Sequence, residues 1–131
     1  MSVLPDTSVW IDFFRGTDPA ARELGRLLAG EPPPICGPIL AELVAGTPAD
    51  RREDVWLALA GLPFVDLDRE AWTLAGELAY DLRRAGETVP LVDLLIAVAA
   101  VRANAALWTR DRDFLRVARV LPELRLHRRV R

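Results

Sequence analysis

Lysine is absent from this chain of 131 residues, and cysteine and histidine occur once each. Without lysine, the chain lacks the residue that receiver domains and haloacid-dehalogenase-type phosphatases place beside the phosphoryl group. The single cysteine, Cys36, excludes an internal disulfide framework and a cysteine-rich zinc site. Because Cys36 stands in an apolar pair with Ile35, we expect a small buried side chain there rather than a nucleophile.

Long apolar runs and a signal-peptide pattern are also missing. No run reaches the roughly 18 to 20 uncharged residues of a membrane span, and the N-terminus lacks a basic start followed by a long apolar stretch. Hydrophobic residues nevertheless make up 51% of the chain, which is enough for a core and too much for a disordered polymer. We therefore expect one cytoplasmic domain over residues 1–131, away from membranes and close to the commonest domain size.

The charge is unevenly distributed, although the net charge is only −2. The first 109 residues carry nine arginines and sixteen acids, whereas residues 110–131 carry eight arginines and three acids. Arginine is well suited to bidentate phosphate binding, so the basic C-terminal segment indicates contact with nucleic acid. A genome-wide preference for arginine over lysine is the competing explanation.

Short apolar strands alternate with helices along the whole chain. The predicted strands are residues 3–4, 35–36, 64–65, 106–108 and 124–126. The predicted helices are residues 7–15, 19–29, 37–45, 49–60, 68–85, a segment beginning at 93, and 113–120. This alternation predicts an α/β fold in which a mostly parallel sheet of short strands is covered by helices on both faces.

Asp93 is the most unusual residue of the sequence. It is the only charged residue between Glu87 and Arg102, in a run that is otherwise almost wholly apolar. An ionised carboxylate in such surroundings is costly unless it is paired. We therefore expect Asp93 to have a partner cation, a capping role or a chemical role.

Further acids lie beside other apolar segments. Asp6 follows the first apolar run, Glu42 lies inside a second, and Asp111 and Asp113 follow a third. Ligands of open parallel sheets bind beyond the C-terminal ends of the strands, and both Asp6 and Asp111 follow such ends. These acids together with Asp93 therefore predict one pocket of carboxylate oxygens.

Such a pocket suits a hard divalent cation, because Mg²⁺ prefers carboxylate and water oxygens and keeps several waters. A cation held in this way lowers the pKa of bound water and offsets negative charge on a phosphodiester. Without the cation, clustered carboxylates repel one another, and at least one of their pKa values should be raised. The reaction class that fits best is metal-assisted hydrolysis of a phosphodiester.

Each acid also has a simpler explanation. Asp6 can cap the first helix, Glu42 can form a buried salt bridge with an arginine, and Asp93 can cap its own helix. Asp111 and Asp113 can be surface residues of a turn. Each of these explanations has to account for an acid beside an apolar element, and the shared pocket accounts for all of them together.

Two other polar residues are expected on the surface. Asp12 lies on a charged helix face, where we expect it to be solvated. His127 lies near the basic C-terminus, and we expect its side chain to be exposed rather than to bind a metal.

Four segments, in this order, resemble the successive motifs of PIN-domain ribonucleases. They are Asp6-Thr7-Ser8-Val9-Trp10-Ile11, Ala41-Glu42-Leu43, Asp93-Leu94-Leu95-Ile96-Ala97 and Thr109-Arg110-Asp111-Arg112-Asp113-Phe114. Their spacing and the length of the chain are similar to those of VapC toxins from bacterial toxin–antitoxin pairs. The match runs from Leu4 to Phe114, and it implies a PIN-like three-layer α/β/α sandwich.

The resemblance also implies the composition of the site. The acidic quartet around Mg²⁺ or Mn²⁺ is Asp6, Glu42, Asp93 and Asp111. Direct metal ligation is expected from Asp6, Asp93 and Asp111, whereas Glu42 and Asp113 are further candidate ligands, directly or through water. Thr109 matches a hydroxyl that usually supports the quartet.

The resemblance further implies cleavage of RNA, a homodimer, and inhibition by a cognate VapB-type antitoxin that covers the active site. Arg110, Arg112 and Arg116 flank or follow the last acids, and we expect them to help bind RNA. An alternative is a PIN-like module that binds RNA or a partner without cutting, although the presence of all four acids argues against it.

Surplus apolar residues indicate where a partner would bind. They are Trp10, Phe13, Phe14, Trp56 and Leu57, on helices predicted to be peripheral. Exposed apolar surface on such helices usually marks an interface, here an antitoxin groove or a dimer contact. The competing explanation is that these residues complete the core of the monomer.

Overall fold

Two pairs of parallel strands organise residues 2–127, the part of the chain that this computed structural model describes. The strands in this part are β1 Ser2–Pro5, β2 Ile35–Cys36, β3 Phe64–Val65 and β4 Ala105–Trp108. The α-helices are α1 Thr7–Phe14, α2 Ala20–Ala29, α3 Gly37–Gly46, α4 Arg52–Ala60, α5 Arg69–Arg84, α6 Leu91–Arg102 and α7 Asp113–Val120. A 3₁₀ turn, Ala49–Arg51, leads into α4.

Strand β1 pairs with β4 in parallel, with Leu4 opposite Leu107 and Pro5 opposite Trp108. Strand β2 pairs with β3, also in parallel. Parallel neighbours need crossover connections, which the helices between the strands supply. The predicted α/β class with parallel strands is confirmed, and the hydrogen-bonded ladder is divided between the two pairs.

The strand predicted over residues 124–126 is shortened to an isolated parallel bridge between Leu126 and Leu107. The bridge consists of two hydrogen bonds of 2.8 Å, from the N–H of Leu107 to the carbonyl of Arg125 and from the N–H of His127 to the carbonyl of Leu107. The N–H of Leu124 donates instead to the carbonyl of Leu121, at 3.0 Å, in a turn. Three arginines of the basic C-terminal segment, Arg128, Arg129 and Arg131, lie outside the described residues.

Helix α6 forms the centre of the core. All residues from Leu94 to Ala100 are buried, as expected for a helix that is apolar on every side. It packs against α5, β4, α3 and α7. Within residues 2–127, no helix combines the length and the apolar character needed to cross a membrane.

The surplus apolar residues divide between core and surface. Trp10 is fully buried and packs against Phe13 and Phe14, with both ring centroids at 5.9 Å. For Trp10 the explanation as monomer core is correct, and the half-buried Phe13 and Phe14 pack against the same core. Trp56 and Leu57 of α4 are 51% and 71% exposed, so they remain candidates for an interface.

Cys36 and His127 also test the expectations from sequence. Cys36 is buried, and burial raises its pKa to about 11, so the prediction of an unreactive side chain is confirmed. His127 was expected to be exposed, but its ring packs edge-on against Trp108, with the centroids 5.4 Å apart, and is half-buried. The bridge at Leu126 brings it there.

Candidate active site

Asp6 lies where β1 ends, and β4 fixes its position. Its N–H donates to the carbonyl of Trp108, the last residue of β4, at 2.9 Å. This hydrogen bond continues the parallel pairing of β1 with β4 to the residue that follows β1. The segments that leave β1 and β4 therefore emerge side by side, with Asp6 next to Thr109.

The carboxylate of Asp6 is buried and fully hydrogen-bonded on one oxygen. Its Oδ1 accepts from the N–H of Val9 at 3.2 Å and from the hydroxyl of Ser8 at 2.6 Å, while Oδ2 accepts from the hydroxyl of Thr109. The helix-cap explanation is thus correct, and the same carboxylate also belongs to the acidic pocket. Burial raises the pKa of Asp6, against the opposing effect of these hydrogen bonds.

Thr109 links the first acid of the chain to the last two. Besides donating to Asp6, its oxygen accepts from the N–H of Asp111 at 2.9 Å. Oδ1 of Asp111 then accepts from the N–H of Asp113 at 2.9 Å. Asp111 therefore does shape a turn, as its simpler explanation required, and this turn directs the acids toward α6.

Three carboxylates form the tightest group within the part of the chain described here. Asp93, Asp111 and Asp113 each offer an oxygen, and these oxygens lie within 4.8 Å of one another. Asp93 does not cap its helix, because α6 begins at Leu91 with Pro90 in the cap position. Asp93 is in the first turn of α6. Asp113, whose role the resemblance left open, belongs to the same group of carboxylate oxygens as Asp93.

The electrostatics of Asp93 connect this group with the other acids. Burial, followed in decreasing order by the negative charges of Asp111, Glu42, Asp113 and Asp6, raises the pKa of Asp93 to about 6. The four other acids that the sequence grouped with Asp93 are therefore close enough to act on it. Near pH 6 the carboxyl group of Asp93 would be partly protonated, which would remove part of the repulsion between Asp93 and the neighbouring carboxylates.

Glu42 is exposed on α3, which excludes the buried salt bridge proposed for it. Among the described residues it forms no ion pair; its Oε1 instead accepts a hydrogen bond of 2.7 Å from the hydroxyl of Thr7. Thr7 was missed as a site residue. A hydroxyl immediately after Asp6 was the signal, but its partner lies 35 residues away and only the fold joins them.

The arginines near the pocket are mostly engaged within the protein. Arg110 forms a salt bridge of 3.1 Å with Asp12, which is only 14% exposed and so is not the solvated acid that we expected. Arg116 forms one of 2.6 Å with Asp113. Arg112 is exposed and forms no salt bridge within residues 2–127.

An apolar groove opens beside the acids. Its volume is about 210 Å³, and its walls come from α1, α3 and the start of α4. Ile11, Phe14, Leu43 and Val55 line it, and Glu42 lies at its edge. The groove therefore connects an apolar surface directly with the charged pocket.

The residues present fit a divalent cation. The donor set consists of carboxylates, as Mg²⁺ and Mn²⁺ require. The pKa of Asp93 is raised first by burial and then by the charges of the neighbouring acids, and a bound cation would offset the repulsion among these charges. Asp93, Asp111 and Asp113 offer oxygens at suitable separations, and Asp6 adds its charge beside them.

Comparison with known proteins agrees with this geometry. The PIN domain family matches residues 3–120. Ribonuclease VapC11 of Mycobacterium tuberculosis is 39% identical over 124 residues, covering 90% of this chain and 92% of the relative. VapC ribonuclease Mb1587 of Mycobacterium bovis matches to the same extent.

Solved structures give the same result. A chain of DNA-bound VapBC from Salmonella typhimurium superposes with a TM-score of 0.77 at 25% identity, over 97% of each chain. A chain of VapBC2 from Rickettsia felis, bound to a promoter DNA fragment, gives a TM-score of 0.73 at 26% identity, over 97% of this chain and 98% of the other.

Proposed function

The chain belongs to the PIN-domain family, in its group of VapC ribonucleases, and we propose that it is a metal-dependent endoribonuclease toxin neutralised by a VapB-type antitoxin. The proposal rests on the group of three carboxylates, Asp93, Asp111 and Asp113. The negative charges of Asp6 and Glu42 also raise the pKa of Asp93 in this group. A pocket with this charge has no evident use without a cation. The relatives named above are ribonucleases.

In this proposal Asp6, Asp93 and Asp111 would hold the ion, and Mg²⁺ or Mn²⁺ would activate water and offset charge on the phosphodiester. Ser8 and Thr109 fix the carboxylate of Asp6, so that it does not have to reorganise. Glu42, oriented by Thr7, is exposed and can hold water at the open side of the pocket.

RNA is the substrate in this proposal, and Arg112 is the described arginine best placed to contact it. Arg110 and Arg116 remain proposed contacts, but their salt bridges with Asp12 and Asp113 reduce the charge that they offer. The remaining acids of the pocket repel phosphate unless a cation is bound. RNA and cation should therefore bind cooperatively.

The antitoxin would occupy the apolar groove. A segment lying against Ile11, Phe14 and Val55 would pass Glu42 and could extend a basic side chain into the acidic pocket. Such a side chain would take the place of the cation. The solved neighbours named above are structures of VapBC, which supports a partner of this kind.

Two finer proposals concern assembly and location. We propose that the protein forms a homodimer. Trp56 and Leu57 of α4 are candidate contacts, because they are exposed apolar side chains outside the groove. A single domain over residues 1–131 that acts on RNA beside an antitoxin would work in the cytoplasm.

Cleavage of a defined single-stranded RNA tests the function. The purified protein should cut in Mg²⁺ or Mn²⁺, stop with EDTA, and recover when the ion is restored. Undiminished cutting in EDTA would contradict the mechanism. Tight RNA binding with no cleavage in either ion would favour the alternative of a binding module.

A further inference from the structure

Arg116 of α7 contacts the acidic pocket directly. Its Nη2 lies 2.6 Å from Oδ1 of Asp113, and the same nitrogen donates to the carbonyl of Thr88 at 3.3 Å. The Arg116 side chain is only 30% exposed. A short, partly buried and charge-assisted contact of this kind holds both groups more firmly than a surface ion pair does.

No other cation of the described chain pairs with the three-carboxylate group. Asp93 and Asp111 form no salt bridge within residues 2–127, whereas Asp113 forms the one with Arg116. The positive charge of Arg116 is therefore placed on one oxygen of Asp113. Asp93 and Asp111 remain without a paired cation among the described residues.

The bond to Thr88 fixes where that charge lies. Thr88 belongs to the segment that leads into α6, which carries Asp93, while Arg116 and Asp113 belong to α7. One guanidinium thus ties the two elements whose acids face each other. Arg119 joins the same two segments through Glu87, at 3.4 Å, without touching the acids of the group.

We propose that Arg116 occupies the position at Asp113 that a second divalent cation would need, so that this site holds one ion instead of two. The inference rests on the proposed function. Two-metal sites place their ions about 3.5 to 4 Å apart and share carboxylates between them. Oδ1 of Asp113 is already held by Arg116, and a dication beside the guanidinium would be repelled.

Arg116 is then a positioning residue that acts through Asp113. It holds Oδ1 of Asp113. The main role of Asp113 is to hold the arginine, and ligation of the ion is left mainly to Asp6, Asp93 and Asp111. Replacing Arg116 by an uncharged residue should open a second cation position.

Counting bound Mn²⁺ by electron paramagnetic resonance on the full-length protein, without RNA, tests this directly. Wild type should bind one Mn²⁺ per chain. Arg116→Gln should bind two, with the spin coupling of two ions a few ångströms apart, and Arg116→Gln combined with Asp113→Asn should return to one. Arg119→Gln is the matched control and should bind one.

Two coupled ions in the wild type, or one ion in a folded Arg116→Gln variant, would overturn the proposal. If Arg116→Gln does not fold, Asp113→Asn still decides. It should change the affinity for the first Mn²⁺ less than about threefold, whereas Asp111→Asn should weaken it at least about tenfold; equal weakening would overturn the proposal. A wild type that binds no Mn²⁺ contradicts the proposed function itself.

Discussion

The hydroxyl of Thr109 donates a hydrogen bond to Oδ2 of Asp6, across 103 residues of sequence. The same oxygen of Thr109 accepts from the N–H of Asp111. One side chain therefore orients the first acid of the pocket and the loop that carries the last two. Both bonds depend on the parallel pairing of β1 with β4, which brings Asp6 beside the residue that follows Trp108.

Thr109→Val should reduce cleavage and metal affinity by about 10- to 100-fold, as loss of a supporting hydrogen bond to a ligand commonly does. Valine keeps the shape of threonine but neither donates nor accepts a hydrogen bond. Thr109→Ser keeps the hydroxyl and should retain most activity. Equal losses in the two variants, measured as initial cleavage rates at several Mn²⁺ concentrations, would show that packing matters and the hydroxyl does not.

Asp93→Asn should lower cleavage by roughly 10³-fold or more, because the ion contributes several kcal/mol to transition-state stabilisation. The metal-free protein should nevertheless be as stable as wild type, or more so. Asparagine is nearly isosteric and carries no charge that its neighbours repel.

The stability difference should depend on pH in a defined direction. The pKa of Asp93 is raised from 3.8 to about 6 on folding, so the unfolded chain loses its proton first as the pH rises. Asp93 therefore destabilises the metal-free fold progressively between about pH 4 and pH 6, and by a constant amount above. Melting curves in EDTA should give Asp93→Asn a higher melting temperature than wild type at pH 7.5 and an equal one near pH 4. A much lower melting temperature of Asp93→Asn at pH 7.5 would show that Asp93 has a structural role.

Metal affinity should fall in acid for the same reason. Below about pH 6 the Asp93 carboxyl holds a proton that the ion has to displace. Titration calorimetry with Mn²⁺ should show the affinity decreasing by up to about tenfold per pH unit below pH 6. The measured binding enthalpy should differ between buffers of different ionisation enthalpy, because the buffer takes up the proton that Asp93 releases. An affinity that is flat between pH 5 and pH 7 would exclude Asp93 as a ligand.

Ile11→Glu should weaken inhibition by the antitoxin at least about 10-fold, because it replaces an apolar contact in the groove by a carboxylate that has to be desolvated when the antitoxin binds. RNA cleavage by the toxin alone should change little, since Ile11 forms no part of the acidic pocket. Leu57→Glu is the control, because Leu57 is exposed outside the groove. If both variants are inhibited as well as wild type, the antitoxin binds elsewhere.

Arg112→Gln should weaken RNA binding and lower its dependence on salt. Each phosphate contact with single-stranded RNA contributes about 0.7 to the slope of log K against log salt concentration. Arg119→Gln serves for comparison, because Arg119 pairs with Glu87, and its slope should change less. Filter binding with Ca²⁺ in place of Mg²⁺ would measure this without cleavage. An unchanged slope for Arg112→Gln would leave the RNA contacts to other residues.

Much of the fold could be predicted from local pattern alone. The apolar pairs Ile35–Cys36 and Phe64–Val65 are strands as predicted, and Asp68 caps α5 through the N–H of Ala71. Hydrophobic period and capping are local properties, so they can be read without tertiary contacts. The strand predicted at 124–126 is shortened to one bridge, because the N–H of Leu124 is used in a turn with Leu121 and only the backbone around Leu126 reaches β4.

For the pocket, Asp93 could be recognised as a costly acid from the sequence, because it stands alone in an apolar run whatever the fold. How the acids are arranged depends on tertiary contacts. Asp113 lies in the tightest group, Glu42 is held by Thr7, and Arg116 neutralises one carboxylate. The desolvation of a charge follows from its local surroundings, whereas the direction of a hydrogen bond or salt bridge between distant segments requires their relative positions in space.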